Sequence, residues 1–266
     1  MNRKFLRLLA LPLSALAVHS VVSAADGGGA VARPTIVLVH GAFADSSSWN
    51  GVVARLGAKG YPIVAVANPL RGVASDARYV ASVIDSVKGP VVVVGHSYGG
   101  TVITNAAAGK PQVKALVYVS AFAPDHGEAS ADLAGKFPGS TLGEALAAPV
   151  PLPEGGVDLY IRKDKFAKQF AADVRPADAT LMAVAQRPVA EAALKEATQA
   201  VAWKQVPSYF IYGTADRNIP PEALRFMAER AGSRKTVVVK EASHVVMVSH
   251  PDQVAALIDE AAQTGR

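Results

Sequence analysis

The chain has 266 residues, 50% of them hydrophobic and 18% charged, which indicates a single globular domain with a large core and excludes a disordered chain. The net charge is +5, but without the N-terminal segment described next there remain 24 basic against 22 acidic residues, so the charge gives no support to nucleic acid or a membrane as a partner. The absence of cysteine excludes thiol nucleophiles and cysteine-based metal sites.

Residues 1–25 have the pattern of a secretory signal peptide. Three basic residues open the chain, and an apolar stretch runs from Leu8 to Val22. Small residues then offer cleavage after Ala24 or after Ala25. An uncleaved anchor or a first core helix is the alternative, but the glycine-rich linker over residues 26–34 favours cleavage. We therefore expect an exported protein, periplasmic or extracellular, without stable membrane insertion after cleavage.

Beyond the linker, short apolar runs rich in β-branched residues alternate with helical patterns. Runs without polar alternation are typical of strands that are buried on both faces, as in a parallel sheet. The pattern predicts a doubly wound α/β sheet formed by residues 35–124 and 205–266. The predicted strands are Thr35–Val39, Ile63–Val66, Val91–Val94, Val113–Val119, Tyr209–Tyr212 and Thr236–Val239. The predicted helices between them lie near Ser48–Ala58, Ala74–Val87, Gly99–Ala108, Glu222–Ala231 and Asp252–Ala262.

Residues 125–204 interrupt this alternation. The segment has no β-branched strand run, and a stretch rich in proline and glycine is followed by alanine-rich helical sequence over Ala177–Ala185 and Pro188–Ala200. We interpret it as a mostly helical insertion between two strands of the sheet. Within it, the charged run from Arg162 to Lys165 is broken by an acid and is typical of a solvated helix face.

Ser97 is the candidate nucleophile. It is the centre of Gly-His-Ser-Tyr-Gly (residues 95–99), which follows four valines directly and opens a helix. In this strand–turn–helix context, the G-x-S-x-G pattern forms a sharp turn that lifts the serine hydroxyl off the sheet. The helix that begins there favours developing negative charge.

A serine hydroxyl needs a positioned base, and His244 is the candidate. It follows the last predicted strand, at the sheet edge where parallel sheets gather catalytic groups. The remaining histidines have other expected places: one leaves with the signal peptide, and the others lie in a strand-end turn, in the serine turn, at the start of the insertion and before a proline (His19, His40, His96, His126 and His250).

The acid of a triad should lie between Ser97 and His244 in the chain. Asp216 fits best, because it occupies the loop after the Tyr209–Tyr212 strand. Its carboxylate would hold the imidazole in the right tautomer. Asp125 also follows a strand and is the alternative.

Two backbone N–H groups are candidates for binding the oxyanion of a tetrahedral intermediate. One belongs to Tyr98, which follows the candidate nucleophile. The other comes from the loop after the first strand, where Gly41 permits a tight turn and Ala42 can point its N–H inward. Phe43 is the neighbouring alternative.

Together these residues resemble the α/β-hydrolase superfamily, and within it the branch of small esterases around plant methylesterases, hydroxynitrile lyases and their bacterial relatives. The motifs that carry the likeness are residues 37–42 with a tryptophan downstream, 94–100, 119–125 and 214–220. The resemblance implies that residues 125–204 form a helical cap that walls an apolar substrate pocket. It also implies that no cofactor or metal is used.

The expected function is that of a secreted serine hydrolase acting on small apolar carboxylic esters, without nucleic acid as a partner. The alternatives are a non-hydrolytic reaction on the same triad, of lyase, haloperoxidase or dioxygenase type, and a binding protein that has lost catalysis. Hydroxynitrile lyases of the branch place a lysine after the catalytic histidine and a threonine in the oxyanion turn. Here Val245 and Gly41 occupy those positions, which favours hydrolysis.

Overall fold

The computed structural model describes residues 33–264. The predicted signal peptide (1–25) and most of the linker (26–34) lie outside the described residues. In chain order the strands are β1 (Thr35–Val39), β2 (Ile63–Val66), β3 (Val91–His96), β4 (Val113–Val119), β5 (Val150–Pro151), β6 (Val157–Leu159), β7 (Val189–Ala190), β8 (Ser208–Gly213) and β9 (Lys235–Val239).

Eleven α-helices occur within residues 33–264. They are α1 (Asn50–Ala58), α2 (Val73–Ser86), α3 (Tyr98–Ala106), α4 (Ser130–Gly135), α5 (Leu142–Ala145), α6 (Lys163–Phe170), α7 (Pro176–Ala185), α8 (Glu191–Lys195), α9 (Pro221–Arg230), α10 (Val246–Ser249) and α11 (Pro251–Thr264). In this same part of the chain, no helix is both long enough and apolar enough to cross a lipid bilayer.

Six strands form one parallel sheet in the order β2-β1-β3-β4-β8-β9. The inner strands are almost wholly buried, as their continuous apolar runs require, and in β3 every residue is buried. Helices α1 and α11 pack together, as do α2 and α3, and both pairs flank the sheet. The predicted doubly wound α/β sheet is therefore confirmed. Each predicted strand and helix of this core agrees with the observed element to within about two residues.

The sheet has its switch point between β1 and β3. From β1 the chain continues outward to β2, whereas from β3 it continues in the opposite direction to β4. The loops at the carboxyl ends of these two strands therefore diverge and leave a crevice, the place where open α/β sheets bind ligands. Ala42 lies in the loop after β1, and Ser97 follows β3 directly.

The insertion over residues 125–204, here called the cap, contains α4–α8 and also a small antiparallel sheet, β5-β6-β7. The segment was interpreted as mostly helical, and these three short strands were not predicted. Strands of two or three residues are too short to show the alternation by which a strand is recognised. The predicted helix over Pro188–Ala200 was also too long, because Val189 and Ala190 pair with β6 and the helix covers only Glu191–Lys195.

Several contacts tie the cap to the core. The Glu196 carboxylate accepts hydrogen bonds from the N–H groups of Val73 and Ala74, at 2.6 and 3.0 Å, and so caps the N-terminus of α2. Arg71 forms an ion pair of 2.7 Å with Asp158 in β6. The backbone of the loop after β1 also bonds to the cap, as described below.

Candidate active site

Ser97 sits in the turn between β3 and α3 with φ 52° and ψ −124°. These angles are unfavourable for a residue with a side chain, and such strain marks functional turns. The turn fits because its flanking positions are glycines. A Cβ on Gly95 would come 2.7 Å from the Gly99 carbonyl oxygen, and one on Gly99 would come 2.5 Å from the Val39 carbonyl oxygen. The sequence pattern therefore forms the predicted sharp turn.

Asp216 and His244 are brought together at the carboxyl edge of the sheet, in the loops after β8 and β9. His244 Nδ1 lies 2.7 Å from Asp216 Oδ2, and both side chains are fully buried. The other oxygen, Asp216 Oδ1, accepts hydrogen bonds from the N–H groups of Asn218 (2.8 Å) and Ile219 (3.0 Å). The carboxylate is thus held in place, and it directs the Nδ1 proton of the imidazole towards itself.

The other ring nitrogen of His244, Nε2, is buried and has no hydrogen-bond partner among the described residues, Ser97 included. The ring nevertheless lies next to the serine turn. Its centroid is 4.8 Å from that of His96, the neighbour of Ser97, and His96 Nε2 donates to the His244 carbonyl oxygen at 3.2 Å. Hydrogen bonds between nucleophile and base often tighten only when substrate binds.

Asp125, the alternative acid, lies elsewhere. Its carboxylate forms an ion pair with Lys204 and accepts a hydrogen bond from the His126 N–H. The hydrogen bond from Lys204 holds the pKa of Asp125 below its usual value. Asp125 has no contact with His244 in the structure. The geometry therefore favours Asp216 over Asp125 as the acid, a choice that the sequence left open.

Two further histidines are buried near the site. His40 Nδ1 donates to the Gly41 carbonyl oxygen at 3.0 Å, while its Nε2 accepts from the Asn68 N–H at 3.1 Å. Burial lowers the pKa of His40. Burial, reinforced by His244, lowers the pKa of His96 well below its ordinary value. Both rings are therefore neutral at pH 7, and their contacts fix the backbone around the site.

The candidate oxyanion donors face the same crevice. The N–H groups of Ala42 and Tyr98 have no acceptor among the described residues, and both residues line a cavity with Ser97. The alternative donor, Phe43, is engaged, because its N–H donates to the Arg187 carbonyl oxygen of the cap at 3.0 Å. This contact leaves Ala42 as the uncommitted donor of the loop after β1.

The anchoring of Tyr98 was not predicted from the sequence. Its hydroxyl donates to Asp76 Oδ2 in α2 at 2.9 Å, and both side chains are buried. Burial raises the pKa of Asp76. Burial also raises the pKa of Tyr98, and the neighbouring Asp76 carboxylate raises it further. The residues are 22 positions apart, and no pattern in the sequence links them. This bond holds the first residue of α3, and with it the candidate oxyanion donor.

A cavity of about 330 Å³ opens at Ser97, between the core and the cap. Its lining is mainly apolar: Ala42, Phe43, Tyr98, Phe122, Ala131, Ala134, Leu142, Gly143, Leu146, Leu194 and Ile219, with the polar Ser97, Ser130, Ser140 and Asn218. A larger cavity of about 490 Å³ lies against Phe43, Asp45, Arg175 and Leu181 but does not include Ser97. The smaller cavity is therefore the candidate substrate pocket. Among the residues of known placement, no three His, Asp or Glu side chains cluster as metal ligands would.

The model of the α/β hydrolase family matches residues 36–257 of the chain. The chain belongs to this family. Over 251 residues the hydrolase is 29% identical to the probable hydrolase R7 of a Phoma species, a match that covers 86% of this chain and 98% of the relative. It is 25% identical over 240 residues to the α-hydroxynitrile lyase of Arabidopsis thaliana, covering 82% and 93% of the two chains.

Among solved structures, the crystal structure of polyneuridine aldehyde esterase matches this hydrolase with a TM-score of 0.75 at 22% identity, over 86% of this chain and 98% of that one. The resemblance to the branch of small esterases and hydroxynitrile lyases is thereby confirmed. The relatives named hydrolase or esterase support a hydrolase as the enzyme class.

Proposed function

We propose that the protein is a serine carboxylic-ester hydrolase in which Ser97, His244 and Asp216 form the catalytic triad. The observation that carries the proposal is the buried 2.7 Å hydrogen bond between His244 and Asp216, beside the strained turn that presents Ser97. A serine nucleophile, a neighbouring imidazole and a carboxylate that orients it are the three parts that acyl transfer needs.

In the proposed reaction, Ser97 Oγ attacks the ester carbonyl carbon while His244 Nε2 takes the hydroxyl proton. The N–H groups of Ala42 and Tyr98 bind the oxyanion that forms, and Asp216 stabilises the imidazolium. Breakage of the bond to the alcohol oxygen leaves an acyl group on Ser97, and His244 returns the proton to the departing alcohol. Water, activated by His244, then attacks the acyl group and releases the carboxylic acid and free Ser97.

The size and lining of the pocket support small, largely apolar esters as substrates. A cavity of about 330 Å³ is at the lower end of the volumes that hold small-molecule ligands. About half of its apolar side chains come from the cap, so the cap would contribute to the specificity for the acyl or alcohol group.

Cyanohydrin cleavage is the competing reaction, since one relative is a hydroxynitrile lyase. Val245, directly after His244, is uncharged and fully buried, and it offers a departing cyanide no positive charge. Gly41 has no side chain that could obstruct the oxyanion site. Both features support hydrolysis.

The test uses 4-nitrophenyl esters of increasing acyl length together with mandelonitrile. We expect ester turnover that a serine-directed phosphonate abolishes, an acyl group on Ser97 in mass spectra after rapid quench, and negligible release of cyanide.

Ser97→Ala should reduce ester turnover by about 10⁴-fold or more and leave the fold intact. The matched control is Ser233→Ala, a partly exposed serine whose hydroxyl donates to the Lys235 backbone carbonyl. Cyanide release without an acyl adduct, or a Ser97→Ala variant with more than a few per cent of activity, would contradict the proposal.

We also propose that the enzyme is exported, on the strength of the signal-peptide pattern in residues 1–25.

A further inference from the structure

Asn218 places a polar side chain in the otherwise apolar pocket. It lies in the loop after β8, two residues beyond Asp216, and lines the cavity together with Ser97. The residue is only 4% exposed, so few of its polar atoms are open to water and the others need partners within the protein.

Three of its four polar atoms have partners in the protein. The backbone N–H donates to Asp216 Oδ1, the backbone carbonyl accepts from Ser140 Oγ at 2.9 Å, and the side-chain oxygen Oδ1 accepts from Gln169 Nε2 at 2.8 Å. The fourth atom, the amide nitrogen Nδ2, donates to no described residue.

The orientation of this amide follows from its neighbours. Gln169 Nε2 lies 2.9 Å from the Arg217 carbonyl oxygen, which can only accept, so the atom of Gln169 on that side is the nitrogen. That nitrogen also faces Asn218, whose nearer atom must therefore be the oxygen. Thr141, which donates to Gln169 Oε1 at 2.8 Å, agrees with this assignment. The two N–H groups of Asn218 Nδ2 are thus left for the cavity.

Most of the other polar groups in the lining are already engaged. The Ser140 hydroxyl donates to the Asn218 backbone, and the Ser130 hydroxyl shares a hydrogen bond of 2.7 Å with Thr101. Apart from Ser97 and the oxyanion donors, Asn218 therefore presents a free side-chain donor to the pocket. When a substrate displaces water from the pocket, this donor is left unpaired unless the substrate supplies an acceptor, so a ligand that brings an oxygen is favoured over one that brings only carbon.

We propose that Asn218 is a specificity-determining residue that donates to a second oxygen on the substrate, remote from the scissile ester. The preferred substrates are then small apolar esters that also carry a keto, ether or further ester oxygen. The inference rests on the proposed ester hydrolysis and narrows its substrate class.

The experiment compares 4-nitrophenyl hexanoate with the 5-oxohexanoate and 4-methoxybutanoate esters, which have similar length and add one acceptor oxygen. For the native enzyme we expect kcat/KM, corrected for the uncatalysed rate of each ester, to be higher for at least one oxygenated ester. The selectivity ratio is kcat/KM for the oxygenated ester divided by kcat/KM for the hexanoate. Asn218→Leu should lower this ratio by about tenfold, because the donor is replaced by an apolar group of similar size.

Gln169→Met serves as the second variant, since it frees the Asn218 amide to rotate without altering a pocket-lining side chain. It should lower the same ratio by a smaller factor, and it decides the matter if Asn218→Leu fails to fold. Gln253→Leu, which replaces an exposed amide in α11 away from the pocket, is the control and should leave the ratio unchanged. If the native enzyme hydrolyses these esters without preference, or if neither variant lowers the ratio, the role of Asn218 is wrong. If it hydrolyses none of them, the proposed function itself fails.

Discussion

Gly41 lies directly against Ser97: a Cβ atom added to Gly41 would come 2.6 Å from the Cβ atom of Ser97 and 2.6 Å from the His96 carbonyl oxygen. The same atom would be 3.2 Å from the backbone nitrogen of Tyr98. The loop after β1 and the serine turn thus meet in a space that admits no side chain. This close approach brings the Ala42 and Tyr98 N–H groups to the same crevice. The absence of a Cβ at position 41 is therefore a condition for the proposed oxyanion binding by these two donors.

Gly41→Ala should therefore impair catalysis far more than folding. Relief of the clash must move the loop away from the serine turn, and loss of one oxyanion donor typically costs about 10²–10³ in kcat. The measurement is kcat for a 4-nitrophenyl ester together with the midpoint of thermal unfolding. Gly57→Ala is the matched control, since nothing lies within 4 Å of the added atom. A Gly41→Ala variant with activity close to that of the control would refute the two-donor arrangement.

The choice of acid can be tested with two isosteric substitutions. Asp216→Asn should reduce kcat by about 10⁴-fold, because an amide in place of the carboxylate leaves His244 in the wrong tautomer. Asp125→Asn should change kcat by less than about twofold, since its carboxylate pairs with Lys204 on the cap. Steady-state kinetics on both variants decide the matter, and the reverse order would transfer the role to Asp125.

Most of the core was predictable because its determinants are local. β3 begins with four valines before the serine turn, and a continuous apolar run of that length indicates a strand buried on both faces. The order of the triad candidates along the chain followed from the fold class.

The short strands of the cap and the polar groups of the pocket were not predictable, because their determinants are contacts between distant residues. Gln169 and Asn218 are 49 positions apart in the sequence. The choice between Ala42 and Phe43 depends on a carbonyl at Arg187, which only the folded chain brings near. Strands such as Val189–Ala190 exist because β6 lies beside them, and their own sequence carries too little signal.

The stability of the enzyme should fall as the pH drops below about 6.5. At that pH an unfolded histidine takes up a proton, whereas His96 stays neutral in the folded protein because its pKa is lowered. The unfolded state then binds more protons, so the free energy of unfolding falls by up to about 1.4 kcal/mol per pH unit for each such histidine. His40, whose pKa is also lowered, adds to the effect.

Urea unfolding at intervals between pH 7 and pH 5 measures this slope. His96→Asn should reduce it by the contribution of one proton, with His40 left to supply part of the remainder. His126→Asn, at an exposed position, is the control. Equal slopes for the native enzyme and His96→Asn would show that His96 does not remain neutral.

Export predicts a defined N-terminus. Protein isolated from its native host should begin at Ala25 or Asp26, as determined by mass spectrometry of the intact chain. Leu16→Arg, which places a charge within the apolar stretch, should leave the precursor inside the cell. Native protein that still begins at Met1 or Asn2 would rule out a cleaved signal.

The bonds between cap and core limit how freely this enzyme could exchange its cap with a relative's. The Arg187 carbonyl binds the Phe43 N–H, one residue from the candidate oxyanion donor, and the Glu196 carboxylate caps the helix that carries Asp76. A foreign cap that lacked either acceptor would leave backbone donors unpaired at both places and disturb the loop beside Ser97. A chimera designed for a new substrate therefore has to replace the pocket lining while retaining these two acceptors. Without them, a lower rate caused by the disturbed loop would be mistaken for poor complementarity between the new pocket and its substrate.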